Sequence, residues 1–258
     1  MEGQDGGLGL KVVVISLGRR PDRRATFEAW NKAQPLPFTF FDAADGRHVD
    51  PLKLVEAGLL AADERNFNSS ALGNALSHAT LWRDCARGRD PYLIFEDDAC
   101  LRGDFWRHAK PLMERHLAAA DMLVFGYNTN SVVALCGPDG VVSAIRFDET
   151  VKHGADYFRR YAALHDARPT LLRCTQFWGL LGYAIAPEGA ARLLRACLPL
   201  RSDETVRLLT TERTIRPYGL DCMTNLALEK GRLRALACYP ALVLGPNHLA
   251  TSDIQTAC

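Results

Sequence analysis

Tyr92-Leu-Ile-Phe-Glu-Asp-Asp-Ala99 decides the fold, because an apolar run leads without a break into three adjacent carboxylates. A short run of this kind reads as a strand buried on both faces, the type found in open parallel sheets covered by helices. Carboxylates at its C-terminal end stand where such sheets place their ligands. Like charges side by side raise one another's pKa, and a buried carboxylate must be paired, protonated or metal-bound. A divalent ion resolves that conflict. Side chains alternate along a strand, which predicts Glu96 and Asp98 on one side and Asp97 on the other. Two oxygen ligands with open positions suit Mg2+ or Mn2+, which keep sites for water and substrate phosphates. The competing reading is an acidic strand end that caps a helix or pairs with arginine.

Working outward, Lys11-Val-Val-Val-Ile-Ser-Leu17 is another buried β-branched strand. Arg19-Arg-Pro-Asp-Arg-Arg24 opens a helix running through Trp30, with Pro21 in its first turn. Phe38-Thr-Phe-Phe41 is a short strand closing at Asp42-Ala-Ala-Asp-Gly46, which completes a strand–helix–strand start. A helix over 70–87 places Leu72, Ala75, Leu76 and Ala79 at helical spacing and leads into the acidic strand. Asp104 is expected to cap a helix reaching about Ala119, and Met122-Leu-Val-Phe125 is the next strand. From 128 to 173 the pattern weakens around a hairpin at Cys136-Gly-Pro-Asp-Gly140, and an acceptor-facing insertion is expected there. Phe177 to Ile185 reads as a strand, Pro187 begins a helix, and Tyr218-Gly-Leu-Asp221 is a turn before a helix closed by Gly231. Leu233 to Tyr239 is a late strand.

The chain of 258 residues can bury a full core as one domain. Hydrophobic residues at 48% and charged residues at 24% exclude wholesale disorder. Lys plus Arg number 31 against 30 Asp plus Glu, which argues against a general nucleic-acid binder. Eight cysteines fall without a Cys-x-x-Cys pair, so neither a zinc ribbon nor a thioredoxin motif is indicated. The polar first ten residues read as a flexible leader, and no apolar run is long enough to span a bilayer, so the cytoplasm is the default location. A nicotinamide-binding reading is disfavoured because Gly7-Leu-Gly9 precedes the first strand and lacks a third glycine at the helix entrance.

The order of these pieces resembles glycosyltransferase family 25, which includes lipopolysaccharide galactosyltransferases and collagen galactosyltransferases. The matching blocks are Val14-Ile-Ser-Leu-Gly-Arg-Arg-Pro-Asp-Arg-Arg24, Phe41-Asp-Ala-Ala-Asp-Gly46, Leu72-Gly-Asn-Ala-Leu-Ser-His78 and Glu96-Asp-Asp-Ala99. Later ones are Gly182-Tyr-Ala-Ile-Ala-Pro-Glu-Gly-Ala190, Leu220-Asp221 and Ser252-Asp-Ile254. Ser16 stands where the family usually has Asn, and Asn74 where it more often has Cys. The resemblance implies a single α/β domain of the GT-A type over 11–258. That is a Rossmann-like, mostly parallel sheet flanked by helices, with a nucleotide-sugar half (11–126) and an acceptor-binding, closing half (127–258). It implies an inverting, Mn2+- or Mg2+-dependent transfer of a sugar, galactose from UDP-galactose first among them, to a saccharide or glycolipid acceptor. Peripheral membrane association is compatible with such an acceptor. A silent sugar-nucleotide-binding scaffold, a nucleotidyltransferase and a phosphohydrolase are the alternatives.

On this reading Asp98 is the leading metal ligand, Glu96 a second ligand or ribose contact, Asp97 a support, and His248 a further metal ligand from a C-terminal loop. Arg19 and Arg23 grip the diphosphate or stack near the base, and the strand-end residues Ser16 and Leu17 are further donor contacts. Asp42 contacts uracil or ribose, although Asp45 is explained as well by an Asx turn. His78 is a candidate catalytic residue that hydrogen-bonds the diphosphate or donor sugar, and Ser77 before it is a donor contact. Asp221 is the candidate base, kept ionised by its place at a helix start, with Glu188 a weaker choice. Trp178 and Tyr183 are candidates to stack on a sugar.

Overall fold

The computed structural model describes residues 9–211 and 213–247. In chain order the elements are β1 (Lys11–Ser16), α1 (Pro21–Asn31), β2 (Thr39–Asp42), α2 (Pro51–Glu56), α3 (Ser69–Arg87), β3 (Tyr92–Glu96), β4 (Cys100–Leu101) and α4 (Phe105–His116). There follow β5 (Met122–Gly126), β6 (Val132–Cys136), β7 (Val142–Arg146), α5 (Tyr157–Tyr161), β8 (Thr170–Gln176), β9 (Gly182–Ile185) and α6 (Pro187–Cys197). Last come β10 (Val206–Arg207), β11 (Thr214–Ile215), α7 (Leu220–Glu229), β12 (Ala235–Tyr239) and β13 (Val243–Leu244).

One mixed sheet of 11 strands organises the described residues, in the order β2-β1-β3-β9-β5-β12-β8-β6-β7, with β13 beside β5 and β4 beside β13. Strands β1, β2, β3, β5, β6, β12 and β13 run one way and β4, β7, β8 and β9 the other, so the sheet is mostly parallel in direction. Antiparallel β9 lies between β3 and β5. Its N-terminal end therefore meets the C-terminal ends of β1, β3 and β5 along one edge.

The apolar runs follow from burial on both faces. Val13, Ile15, Tyr92 and Ile94 join the core beneath α3, α6 and α7, whereas Val12, Val14, Leu93 and Phe95 join the opposite core with Phe27 and Phe105. Leu93, Ile94 and Phe95 are wholly buried, and each such side chain contributes about 1.5–3 kcal/mol relative to exposure. The pleat carries Glu96 to the α3 side, in line with Tyr92 and Ile94.

Several expectations are corrected. The strand expected over Phe177–Ile185 begins only at Gly182, because Gly179 adopts φ +77 and turns the chain. Residues 177–181 form a loop instead, and β8, which the weak pattern hid, precedes it. The weak stretch extends the sheet with β6, β7 and β8, although the hairpin at Gly137–Gly140 is present. Asp104 precedes α4 without capping it, since its Oδ2 accepts from Ala167 N at 2.8 Å, and α4 stops at His116. Residues 1–8 of the expected leader lie outside the described residues.

Gly73 shows how tightly α3 is set against the site. A Cβ there would stand 2.6 Å from Ala44 O and 2.7 Å from Gly46 N, in the turn after β2. Gly73→Ala is expected to cost about 2 kcal/mol through overpacking. A denaturant midpoint that does not move would contradict this packing.

Candidate functional site

The strand ends meet in a cleft of about 740 Å³, inside the range of about 300–1,000 Å³ common for small-molecule sites. All three carboxylates line it, but not by strand alternation. β3 ends at Glu96, and Asp97 and Asp98 lie in the turn closed by Ala99 N donating to Glu96 O at 3.1 Å. Asn31 fixes the far side of that turn, donating to Ala99 O at 3.0 Å and accepting from Leu101 N at 2.8 Å. The turn brings Asp97 and Asp98 to the same cation: Arg23 lies 2.7 Å from Asp97 Oδ1 and 3.0 Å from Asp98 Oδ2. The predicted split, with Asp98 beside Glu96 and Asp97 opposite, is overturned by this end of the pleat.

Glu96 points toward α3, where Oε1 accepts from Asn74 at 3.1 Å and lies 3.4 Å from His78 Nε2. Burial opposes its charge, but His78, Asn74 and Arg23 outweigh that and hold its carboxyl below the ordinary value. His78 has its Nδ1 2.8 Å from the Tyr183 hydroxyl, which also accepts from Trp82 Nε1 at 2.7 Å. Both His78 and Tyr183 are fully buried. Direct contact of His78 with a diphosphate, and stacking of Tyr183 on a sugar, therefore give way to a buried relay that orients Glu96.

Asp98 is in the opposite condition. Burial pushes it up to about 7, against the pull of Arg23 and with help from Glu96 and Asp97. Asp97 is also raised, again chiefly by burial. The Oδ1 atom of Asp98 is buried without a hydrogen-bond partner. An orphaned carboxylate oxygen on a residue that lines the cleft fits a hard divalent ion. Among the described residues no group of three His, Cys, Asp or Glu could hold a metal. A cation at Asp98 would complete its shell with water and ligand phosphate oxygens, as Mg2+ commonly does. His248 lies outside the described residues.

The remaining expected residues divide. Ser16, Leu17 and Arg19 line the cleft, and Arg19 is held 3.0 Å from Asp45. Arg47 and then Arg19 lower the Asp45 carboxyl. Ser77 lines the cleft but is spent on structure, donating to Gly73 O at 2.8 Å and accepting from Ala44 N at 2.9 Å. Asp42 falls outside the lining: its side chain is 80% exposed and pairs with Arg24. A base or ribose contact from Asp42 is replaced by that ion pair.

Asp221 lies in the first turn of α7, beyond Gly219 at the N-cap. Its Oδ1 accepts from Cys222 N at 2.8 Å and its Oδ2 from Gly179 N at 3.2 Å. Burial nevertheless raises its pKa, so the expected dominance of the helix start is corrected. A raised carboxylate is a better proton acceptor near neutrality. Glu188 is absent from the lining.

The cleft also uses residues the sequence did not single out. Asn128 N donates to Trp178 O at 2.7 Å, and a Cβ on Gly179 would collide with the Asn128 side chain. With the Asn247 amide oriented to its neighbours, Nδ2 donates to Asn128 Oδ1 at 3.0 Å and Oδ1 accepts from Lys152 Nζ at 3.0 Å. Buried Lys152 is in turn 2.9 Å from Glu149. Tyr218, half exposed, stands at the rim beside Asp221. Gly179 hid inside an apolar run, and an aromatic next to a helix-start Asp was the one available signal for Tyr218.

The model of glycosyltransferase family 25 (LPS biosynthesis protein) matches residues 10–206. The chain is similar to the mouse protein named inactive glycosyltransferase 25 family member 3, 32% identical over 148 residues, 52% of this chain and 25% of that protein. The human protein of that name is 33% identical over 112 residues, 40% of this chain and 19% of its own length. A protein of Acanthamoeba polyphaga mimivirus, named as a provisional glycosyltransferase, is 29% identical over 124 residues, 47% of this chain and 38% of that protein. The matched segment thus spans well under half the length of each of these relatives.

The raised pKa of Asp98 has a signed consequence. The folded state holds its proton up to about 7, so its contribution to stability is full below the unfolded value and is lost as pH rises through about 7. Asp98→Asn should therefore raise the melting temperature of the metal-free protein at pH 8, and the advantage should shrink on acidification toward pH ~4. An advantage equal at both pH values would show that Asp98 is not burdened by its charge.

Proposed function

The chain belongs to glycosyltransferase family 25, and from that premise we propose that it is a metal-dependent inverting transferase moving galactose from UDP-galactose to a saccharide or glycolipid acceptor. What carries the reading is convergence. Arg19, Arg23, Asp98 with its buried unpartnered oxygen, and Asp221 line one cleft at the sheet edge. A glycosyl donor leaves as a nucleoside diphosphate, so the site must offset charge growing on phosphate oxygens and hold the acceptor hydroxyl opposite.

Each residue then has a part. Arg19 and Arg23 offer guanidinium forks to the diphosphate. Asp98 would hold Mn2+ or Mg2+, which supplies Lewis-acid stabilisation of the leaving diphosphate. Glu96, fixed by Asn74 and His78, gives the metal or the ribose a carboxylate of set orientation. Asp221 takes the proton of the acceptor hydroxyl as its oxygen bonds to the anomeric carbon, and the carbon–phosphate-oxygen bond breaks with its electron pair leaving on the diphosphate. The backbone amides of Gly179 and Cys222 keep Asp221 aimed while leaving lone pairs for that proton.

The seven cysteines among the described residues are free and buried, which supports a reducing compartment and hence the cytoplasm. Among the described residues no helix is long and apolar enough to cross a membrane. A second reading, a sugar-nucleotide-binding scaffold without turnover, is favoured by one observation: Arg23 already satisfies Asp97 and one oxygen of Asp98. The relatives named inactive point the same way.

Product analysis and a thermal-shift panel separate these readings. Transfer from UDP-galactose with Mn2+ should give a glycoside and intact UDP. A split diphosphate would indicate a phosphohydrolase, and metal-dependent donor binding without any transfer would indicate the scaffold. Asp98→Asn should abolish turnover and remove the Mn2+-dependent part of the UDP-induced shift. Asp221→Asn should cost at least about 100-fold in kcat, the scale of general-base catalysis, with donor affinity kept. Loss of donor binding in that variant would assign Asp221 to the nucleotide instead.

A further inference from the structure

A second hollow of about 230 Å³ opens beyond Trp178. It shares Asn130, Ser131 and Trp178 with the cleft, so the two meet along one ridge. That volume is below the usual range for a whole small-molecule site, about 300–1,000 Å³, and suits one ring rather than a nucleotide. Phe147, Leu208 and Trp178 are its apolar lining residues, and Asn130, Ser131, Thr210 and Thr211 bring uncharged amide and hydroxyl side chains to the lining. Arg146 is its one charged lining residue among those described.

This composition matches a pyranose, which offers an apolar C–H face to aromatic surface and hydroxyls to neutral donors and acceptors. It does not match a diphosphate, which requires the cations gathered in the cleft. The hollow is also firmly framed. Gln176 is buried, donating to Arg207 O at 2.6 Å and accepting from Leu209 N at 3.2 Å, which ties the segment after β10 to the end of β8. Thr129 at the inner end accepts from Lys152 Nζ at 2.8 Å and donates to Glu149 Oε2 at 2.6 Å. Trp178 is wedged among Val206, Cys222 and Leu226, so the ridge cannot easily collapse.

We propose that this hollow is an acceptor subsite: it holds the saccharide unit adjoining the one that receives the transferred sugar, so the preferred acceptor is at least a disaccharide. The inference rests on the transferase reading and adds an acceptor length to it. Asp221 and Tyr218 lie on the cleft side of the ridge, which leaves the receiving unit in the cleft and its neighbour across Trp178.

The test uses the full chain with UDP-galactose and Mn2+ against a panel of mono-, di- and trisaccharides in matched series. The best disaccharide should exceed its terminal monosaccharide by about tenfold in kcat/KM, the low end of what one added set of contacts supplies. Thr210→Trp and, from the neighbouring position, Thr211→Trp should fill the hollow and erase that advantage through acceptor KM, with donor KM unmoved. Equal use of mono- and disaccharides, or an advantage that survives both substitutions, would overturn the subsite. Should the chain bind donor and transfer to nothing, the transferase reading fails separately. Saturation-transfer NMR with the same panel then decides the hollow: disaccharide signals lost in the Trp variants support it, and signals absent or unchanged overturn it.

Discussion

Three carboxylates delivered together to a half-buried sheet edge must be reconciled, and the structure does so by giving each a different environment. Glu96 is held ionised by α3, through Asn74 and the buried His78–Tyr183–Trp82 relay. Asp97 and Asp98 share Arg23. Among the described residues one oxygen of the three carboxylates is buried without a hydrogen-bond partner, the Oδ1 of Asp98. A buried unpaired carboxylate oxygen is costly, and the fold retains this one on a residue that lines the cleft.

Much of the fold places that oxygen. Burial on both sheet faces fixes the direction of β3, α1 supplies Arg23 and the Asn31 clamp, and α3 closes against the turn after β2 because Gly73 has no side chain. Across the cleft, antiparallel β9 lets the 177–181 loop reach the same edge, where Gly179 turns the chain and orients Asp221. The same arginine that reconciles the acidic pair also makes a silent state conceivable. Whether Arg23 yields the carboxylates to a metal when a diphosphate arrives is the physical difference between a transferase and a scaffold.

The sequence made the sheet legible where burial was strongest. β1, β3 and β5 are apolar on both faces and stand out as runs, α1 carries a proline in its first turn, and α3 carries a helical apolar spacing. It misled where a run of apolar residues was not extended: Phe177–Leu181 has strand composition, but one positive-φ glycine turns it into a cleft wall. β8 was hidden because its burial is uneven and its polar residues break the pattern. Within the site, residue type was readable and direction was not. Alternation predicted Asp97 opposite Asp98, but a turn places both on Arg23, and His78 turned out to act through Glu96 from inside the core. The family resemblance read from ordered blocks agrees with the family model over residues 10–206.

On the proposed mechanism Asp98 would anchor a divalent cation against an activated sugar's diphosphate. Anomalous diffraction from crystals grown with Mn2+ and UDP tests it directly. The expected result is a manganese peak within bonding distance of Asp98 Oδ1, with Arg23 turned from the carboxylates toward phosphate oxygens. UDP bound with no peak at Asp98 and the Arg23 pairings intact would contradict it.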